Sequence, residues 1–195
     1  EYNPEHARSL MTSQGYCSNK KLNIPLTYRS NIPADKLLAL TWQSQIKNDL
    51  SDCFVIKLDG IESTTVYRQL SKGVFPAVIL DWRGSYPDPE AYLTPFLSCS
   101  EIEDQTCNSG EAVASGSFWA SQDVQSDLEE SEYIEGEKRL QMLLNIEVNA
   151  SKAFAYIPIW VVKPRAWVQN NIESPEFDGS GQLLLQRLSF VKSEK

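Results

Sequence analysis

Hydrophobic positions in this chain follow two periods. Leu22, Ile24, Leu26 and Tyr28 fall at every second residue, separated by Asn23, Pro25 and Thr27. That alternation predicts a half-buried strand, with Pro25 at an edge or a bulge because proline cannot donate to a ladder. Behind Pro33, the residues Leu37, Leu38, Trp42, Ile46 and Leu50 recur at helical spacing and predict a helix over 33–50. Phe54-Val55-Ile56-Lys57-Leu58 is a β-rich run and reads as a strand. Residues 62–72 read as a helix with Val66, Tyr67 and Leu70 on one side and Gly73 as its stop. Upstream of all these, Asn3-Pro4-Glu5 has the form of a helix cap, a proline in the first turn and an acid at the positive end of the dipole. That helix should run to Ser13 and stop at Gly15.

Phe75 to Leu80 is continuously apolar and reads as a strand over 75–82, buried on both faces and central in its sheet. It runs into a loop, Trp82-Arg83-Gly84-Ser85-Tyr86, and then into a helix start with Asp88 as cap and Pro89 in the first turn. The order α-β-α-β-α-β predicts an α/β fold with a mainly parallel sheet flanked by helices. Ligands gather beyond the carboxyl ends of strands in such sheets, so residues 82–90 are the first candidate site. Further on, the pattern gives a helix over 89–98 and a polar loop from Ser98 to Gly116. Then come a helix capped by Ser121, an amphipathic helix over 135–149 with Leu140, Leu143, Leu144 and Val148, and an apolar strand from Ala153 to Val162. Asn170 to Gln182 reads as a linker before a short strand, Leu183 to Val191.

The chain has 195 residues, enough for one sizeable core with an appendage. Its net charge of -8 argues against nucleic acid or an anionic membrane as partner. No apolar run approaches the roughly 20 residues that span a bilayer. The first residue is Glu and the chain opens directly on a helix start, which leads us to expect a processed or excised piece of a longer protein. Cys17, Cys53, Cys99 and Cys107 lack the close Cys-x-x-Cys spacing of zinc sites, and no metal site is expected. An even count fits disulfides in an oxidising compartment. Four cysteines leave three pairings open; Cys99–Cys107 with Cys17–Cys53 is the favoured one, and four free thiols remain the alternative.

Catalytic chemistry finds little support. The only histidine, His6, sits in the first turn of the first helix, so a Ser-His-Asp or Cys-His catalyst lacks its general base. Neither a nucleophile elbow, a Walker A loop nor a dinucleotide fingerprint occurs, and no cofactor is expected. The acids Glu129, Glu130, Glu132, Glu135 and Glu137 read as a solvated face. Binding remains. Trp82, Tyr86, Phe118, Trp119, Trp160 and Trp167 can line an aromatic pocket, although each is also explicable as packing. Arg83 and Ser85 have no obvious packing role and can donate hydrogen bonds to a ligand, Arg83 to a carboxylate in particular.

Several segments resemble family 5 extracellular solute-binding proteins, the peptide- and nickel-binding components of ABC importers. Trp82-x-Gly84-x-Tyr86-x-Asp88-Pro89, with Tyr92-Leu93 and Leu97-Ser98, resembles that family's Trp-x-x-Asp-Tyr-x-Asp-Pro segment. His6 to Met11 with Gly15-Tyr16 is similar to the helix that opens its second lobe. Phe118-Trp119-Ala120-Ser121 with Val124 and Leu128, then Arg139-Leu140, then Ala155 to Ile159, follow in the family's order.

The resemblance implies a type II periplasmic-binding-protein-like lobe. Residues 1–166 would be the second lobe of a two-lobe protein, and 167–195 a linker and strand returning toward the missing first lobe. It implies a non-enzymatic protein that holds a small-molecule or peptide solute in an interlobe cleft and delivers it to ABC permease subunits in the membrane. Trp82, Arg83, Gly84, Ser85, Tyr86 and Trp160 would face that ligand. The location would be periplasmic or extracellular, with a lipid anchor as one option for the full-length protein. One position departs. Where peptide-binding members carry an Asp that pairs with the ligand's amino terminus, this chain has Ser85. Alternatives are a ligand-sensing module of a signalling protein and a carboxylate-dependent hydrolase.

Overall fold

Asn3 opens the first helix as its side chain dictates: its Oδ1 accepts the His6 N–H at 2.9 Å, satisfying one of the orphan donors of the first turn. The computed structural model describes residues 2–191. It divides into two compact units, Glu1–Asp81 and Trp82–Lys195.

In the first unit, helix α1 (Pro4–Ser13) ends at Gly15, whose φ of +80° only glycine adopts without strain. Then follow β1 (Leu22–Arg29), α2 (Pro33–Asp49), β2 (Phe54–Ile61), α3 (Ser63–Gln69) with a 3₁₀ turn over Leu70–Lys72, and β3 (Ala77–Val78). Gly73, at φ +62°, ends that turn. The sheet is parallel with strand order β2-β1-β3. Its core is Leu26, Leu38, Ala39, Ile56 and Ile79, with Trp42 and Ile46 of α2 packed on it. Leu37, expected on the buried stripe, faces solvent instead.

Two expectations about this sheet are corrected. The apolar stretch 75–82 is not the central strand: its ladder is only Ala77–Val78 and lies at an edge, whereas β1 takes the centre. Continuous apolarity reports burial above and below a strand, not neighbours beside it. Pro25 accordingly sits in a central strand, not an edge strand. It is tolerated because β1 pairs with β3 only from Leu26 onward, so beside Pro25 that flank has no ladder to lose.

Arg29, the last residue of β1, has a side chain only 5 % exposed. Asp35, in the first turn of α2, meets it with both carboxylate oxygens, at 2.7 Å from Nε and 3.0 Å from Nη2. Nη1 is met by the Tyr67 hydroxyl at 2.8 Å and by Asp81. These partners, Asp35 first among them, hold Arg29 firmly in its charged form.

The second unit comprises α4 (Glu90–Leu97), β4 (Glu101–Glu103), β5 (Thr106–Ser109), α5 (Glu111–Ala114), α6 (Gln122–Ser131) and α7 (Gly136–Lys152). Its main core joins Leu97, Val124, Leu128, Leu143, Ile146 and Ala150. On α7 the buried row is thus 143, 146 and 150, while the expected Leu140, Leu144 and Val148 form a second, exposed row. The expected polar loop 98–116 contains a hairpin, β4 antiparallel to β5. Asp104 and Gln105 turn it with φ of +45° and +66°. That is the geometry of a tight hairpin turn, carried here without the usual Asn-Gly.

The expected strand over 153–162 is absent; the segment is irregular, with Ala155 and Tyr156 packed on the main core and residues 157–162 exposed, Val161 at 95 %. The tail folds on itself through bridges Ile172–Phe190 and Phe177–Leu183, and Leu185–Arg187 is a 3₁₀ turn where a strand was expected. Both disulfides are present. Cys17–Cys53 ties the segment after α1 to the start of β2, and Cys99–Cys107 ties the end of α4 to β5.

Replacing Asp35 with alanine should cost roughly 3–5 kcal/mol, because it leaves the Arg29 charge buried beside a single exposed carboxylate. Urea denaturation reads this, and a loss below about 1 kcal/mol would show that the pair is dispensable.

Candidate functional site

Residues 82–89 form neither helix nor strand, yet side chains fix the segment at both ends. At its start, the Trp82 indole N–H donates to the Ala91 carbonyl in α4 at 2.9 Å, and the ring packs edge-on against Phe96 at 4.9 Å. Phe96 in turn packs on Tyr156 at 4.4 Å. Trp82 remains 47 % exposed, so one side of a fixed ring is open. Gly84 is buried beneath Tyr92: a Cβ there would lie 2.7 Å from the tyrosine ring, so only glycine lets the backbone pass.

At the far end Asp88 has two roles. Its Oδ1 accepts the Glu90 N–H at 2.9 Å, the capping bond the sequence predicts. Both of its oxygens also meet Arg139 of α7, at 2.8 Å and 3.0 Å. Arg139 reaches Glu90 at 2.9 Å and donates from Nε to the Ser131 carbonyl at the end of α6. The Tyr86 hydroxyl donates to the other Glu90 oxygen at 3.4 Å. The Arg139 guanidinium holds the Asp88 carboxyl below the usual carboxylate range, and Asp88 raises Arg139 in return. Partial burial, then Glu90, pushes the Tyr86 phenol up.

Of the candidates, Trp82, Arg83, Gly84, Ser85 and Tyr86 are therefore one short, anchored segment. Arg83 and Ser85 are exposed, and neither has a side-chain partner among the described residues. Trp160 is exposed in the irregular stretch after α7, and no hydrogen bond or ring pair among the described residues joins it to residues 82–90. Trp119 packs on the main core, and Trp167 is solvent-exposed. Sequence reasoning placed Glu90 inside the candidate segment and Arg139 in a family motif, but missed that Arg139 binds both Asp88 and Glu90. It also missed Gly179, which lies against Pro87 so closely that a Cβ would fall 2.6 Å from the proline ring. Among the described residues no three His, Cys, Asp or Glu side chains converge as metal ligands. No helix there is long and apolar enough to cross a membrane.

Residues 1–104, just over half of the chain and inclusive of the whole 82–90 segment, match the family model "bacterial extracellular solute-binding proteins, family 5, middle". The chain belongs to this family. Its solved structural neighbours include Haemophilus influenzae OppA in complex with the peptide RPPGFSPFR, at 20% identity and TM-score 0.73, covering 97% of this chain and 35% of that one. The pheromone receptor PrgZ, described for its mode of peptide binding, gives 15% identity and TM-score 0.71 over 98% of this chain and 35% of its own. Campylobacter jejuni NikZ in complex with Ni(L-His) gives 17% and 0.58 over 75% of this chain and 29% of its own.

At such identities the likeness shows the fold: an α/β arrangement with a parallel sheet flanked by helices, as in periplasmic binding proteins. The chain spans about a third of the length of these solved structures, from 29% to 35%. No curated protein matches the chain.

Asp88 supplies a pH test. Its carboxyl titrates lower when folded than unfolded, so the Arg139 bond contributes stability that is complete above the ordinary carboxylate range. That contribution should be lost as pH falls through the lower folded value. Acid titration of unfolding free energy should show the loss in the wild type and a flatter profile in Asp88→Asn; identical profiles would remove Asp88 as its source.

Proposed function

We propose that this chain is the second lobe of a two-lobe solute-binding protein that captures a small solute for an ABC importer. Residues 1–166 are the lobe, and 167–195 are the return segment toward a first lobe outside this chain. The observation that carries this reading is the family match over residues 1–104, which includes the anchored, exposed Trp82–Tyr86 segment. Its setting supports it: two disulfides suit an extracytoplasmic compartment, in keeping with a family of extracellular proteins. The partners are then a solute, the first lobe and the permease subunits in the membrane. A carboxylate hydrolase is disfavoured because the two acids of the segment, Asp88 and Glu90, are both bound to Arg139. Neither is the desolvated, unpaired carboxyl that a general acid needs.

The chemistry offered to the solute is specific. The Trp82 indole N–H is committed to Ala91, so Trp82 presents a ring face and not a donor. Arg83 is a cation with no side-chain partner among the described residues, suited to a carboxylate or another anion. Ser85 is a neutral hydroxyl where peptide-binding members resembling this chain carry an Asp for the ligand's amino terminus. The solute is therefore one whose recognition does not rest on a free amine: a blocked peptide, a sugar-like molecule or an anionic solute.

Calorimetry of the full-length two-lobe protein should find N-acetylated trialanine bound no more weakly than free trialanine. Trp82→Ala should weaken whatever binds by roughly tenfold or more, since truncating a central aromatic anchor typically costs over 1 kcal/mol. Tight binding of the free tripeptide that acetylation abolishes would defeat the proposed solute class.

A further inference from the structure

We propose that Arg139 is the positioning residue of the Trp82–Tyr86 segment, holding its far end through Asp88 and Tyr86 through Glu90. This rests on the ligand-facing role assigned to that segment above. The segment cannot hold itself. It lies outside any ladder or helix, Pro87 and Pro89 have no N–H to donate, and Asp88 N to Tyr86 O, at 2.9 Å, is a bond within the stretch. The Asp88 and Pro89 carbonyls accept from Ala91, Tyr92 and Leu93 at the start of α4, but among the described residues no backbone bond joins residues 82–86 to a neighbouring element, so the order of that part comes from side chains. Trp82 anchors the first residue to α4, and Tyr92 closes over Gly84. Beyond Gly84 the charged anchor is Arg139.

Its geometry suits that task. One guanidinium joins three places: the carbonyl of Ser131 at the end of α6, both oxygens of Asp88, and one oxygen of Glu90 at the start of α4. The side chain is 21 % exposed, so water competes weakly for those bonds. Glu90 is bridged, with one oxygen on Arg139 and the other receiving the Tyr86 hydroxyl. Arg139 thus acts at two removes on a candidate ligand-facing side chain without touching the ligand. A lysine cannot substitute, because a single ammonium cannot present the flat fork that meets Asp88 with two parallel bonds. Asp88 alone does not suffice either. Its capping bond to Glu90 N–H fixes the helix start but leaves the carboxylate free to rotate away from α7.

Amide hydrogen exchange by NMR on the full 195-residue chain tests this without a ligand, so it stands or falls apart from the solute class proposed above. In Arg139→Gln, exchange at Asp88, whose N–H donates to the Tyr86 carbonyl, and at Glu90, whose N–H donates to Asp88 Oδ1, should speed up on the order of tenfold, the scale of losing one charge-assisted hydrogen bond. The amides of Leu128 and Ile146, in the core helices, should stay at their wild-type rates. Arg139→Lys should not restore protection. Asp88→Asn, which keeps a capping oxygen, should loosen the segment similarly, and the double variant should add nothing to either single change. Unchanged exchange in the segment would overturn the proposal. So would an equal rise at Leu128 and Ile146, which marks a general structural role, or additive effects in the double variant.

Discussion

A guanidinium withdrawn from water has to be met by carboxylates where it sits, and this chain meets that requirement twice. Arg29 at the end of β1 is nearly enclosed and is answered by Asp35, six residues later, with Asp81 and Tyr67 completing its shell. The constraint reaches back into local structure. The chain must turn between Arg29 and Pro33 and start α2 at once, so that the carboxylate of the first helical turn returns to the strand end. Arg139 makes the same demand across a long stretch of sequence. It requires α4 to begin, α6 to end and α7 to begin within reach of one side chain. An enclosed pair such as Arg29–Asp35 seldom raises net stability much over an apolar alternative, but losing either partner is costly.

That difference between near and far partners explains what the sequence disclosed. The cap at Asn3, the stops at Gly15 and Gly73, the capping serine Ser121 and the Pro33 start of α2 depend on residues a few positions apart, and all are where local chemistry puts them. Lateral strand order depends on which crossovers pass over which face, and no run of apolar residues encodes that. Residues 75–82 therefore looked central and are marginal, while the proline-bearing β1 looked peripheral and is central. Apolar content also misled after Tyr156: residues 153–162 read as an apolar strand, yet only Ala155 and Tyr156 pack on the core and residues 157–162 lie exposed. On α7 two apolar rows of similar strength run side by side, and periodicity could not choose between 143-146-150 and 140-144-148. The hairpin at 101–109 was hidden because Asp104 and Gln105 adopt positive φ without a glycine to announce it.

The candidate site was legible in the same uneven way. An apolar run ending in Trp82-Arg83-Gly84-Ser85-Tyr86 marked the segment, and Asp88-Pro89 marked the helix after it. Asp88 read as the cap; the cap position of α4 falls on Pro89, and Asp88 one residue earlier accepts the Glu90 N–H, yet that account held only half of its bonds, because Arg139 lies 51 positions away and nothing in local spacing couples the two. Gly84 was named from the motif, and its physical reason, a tyrosine ring pressed on the backbone, appears only in three dimensions.

The anchoring also narrows what the segment can recognise. The Trp82 N–H, the Tyr86 hydroxyl and the carboxylates of Asp88 and Glu90 are all engaged inside the protein. A solute bound as proposed would meet a ring face, one cation and one small hydroxyl. A ligand amine would find no free carboxylate on this segment, and drawing on Asp88 or Glu90 would require breaking bonds to Arg139 in a partly dehydrated setting. Under the proposed binding role, Ser85 in place of an Asp is then more than the loss of one contact. With Asp88 and Glu90 bound to Arg139, the charge left unpaired on the segment is that of Arg83, and the bonds that hold the segment would also set the sign of charge it accepts.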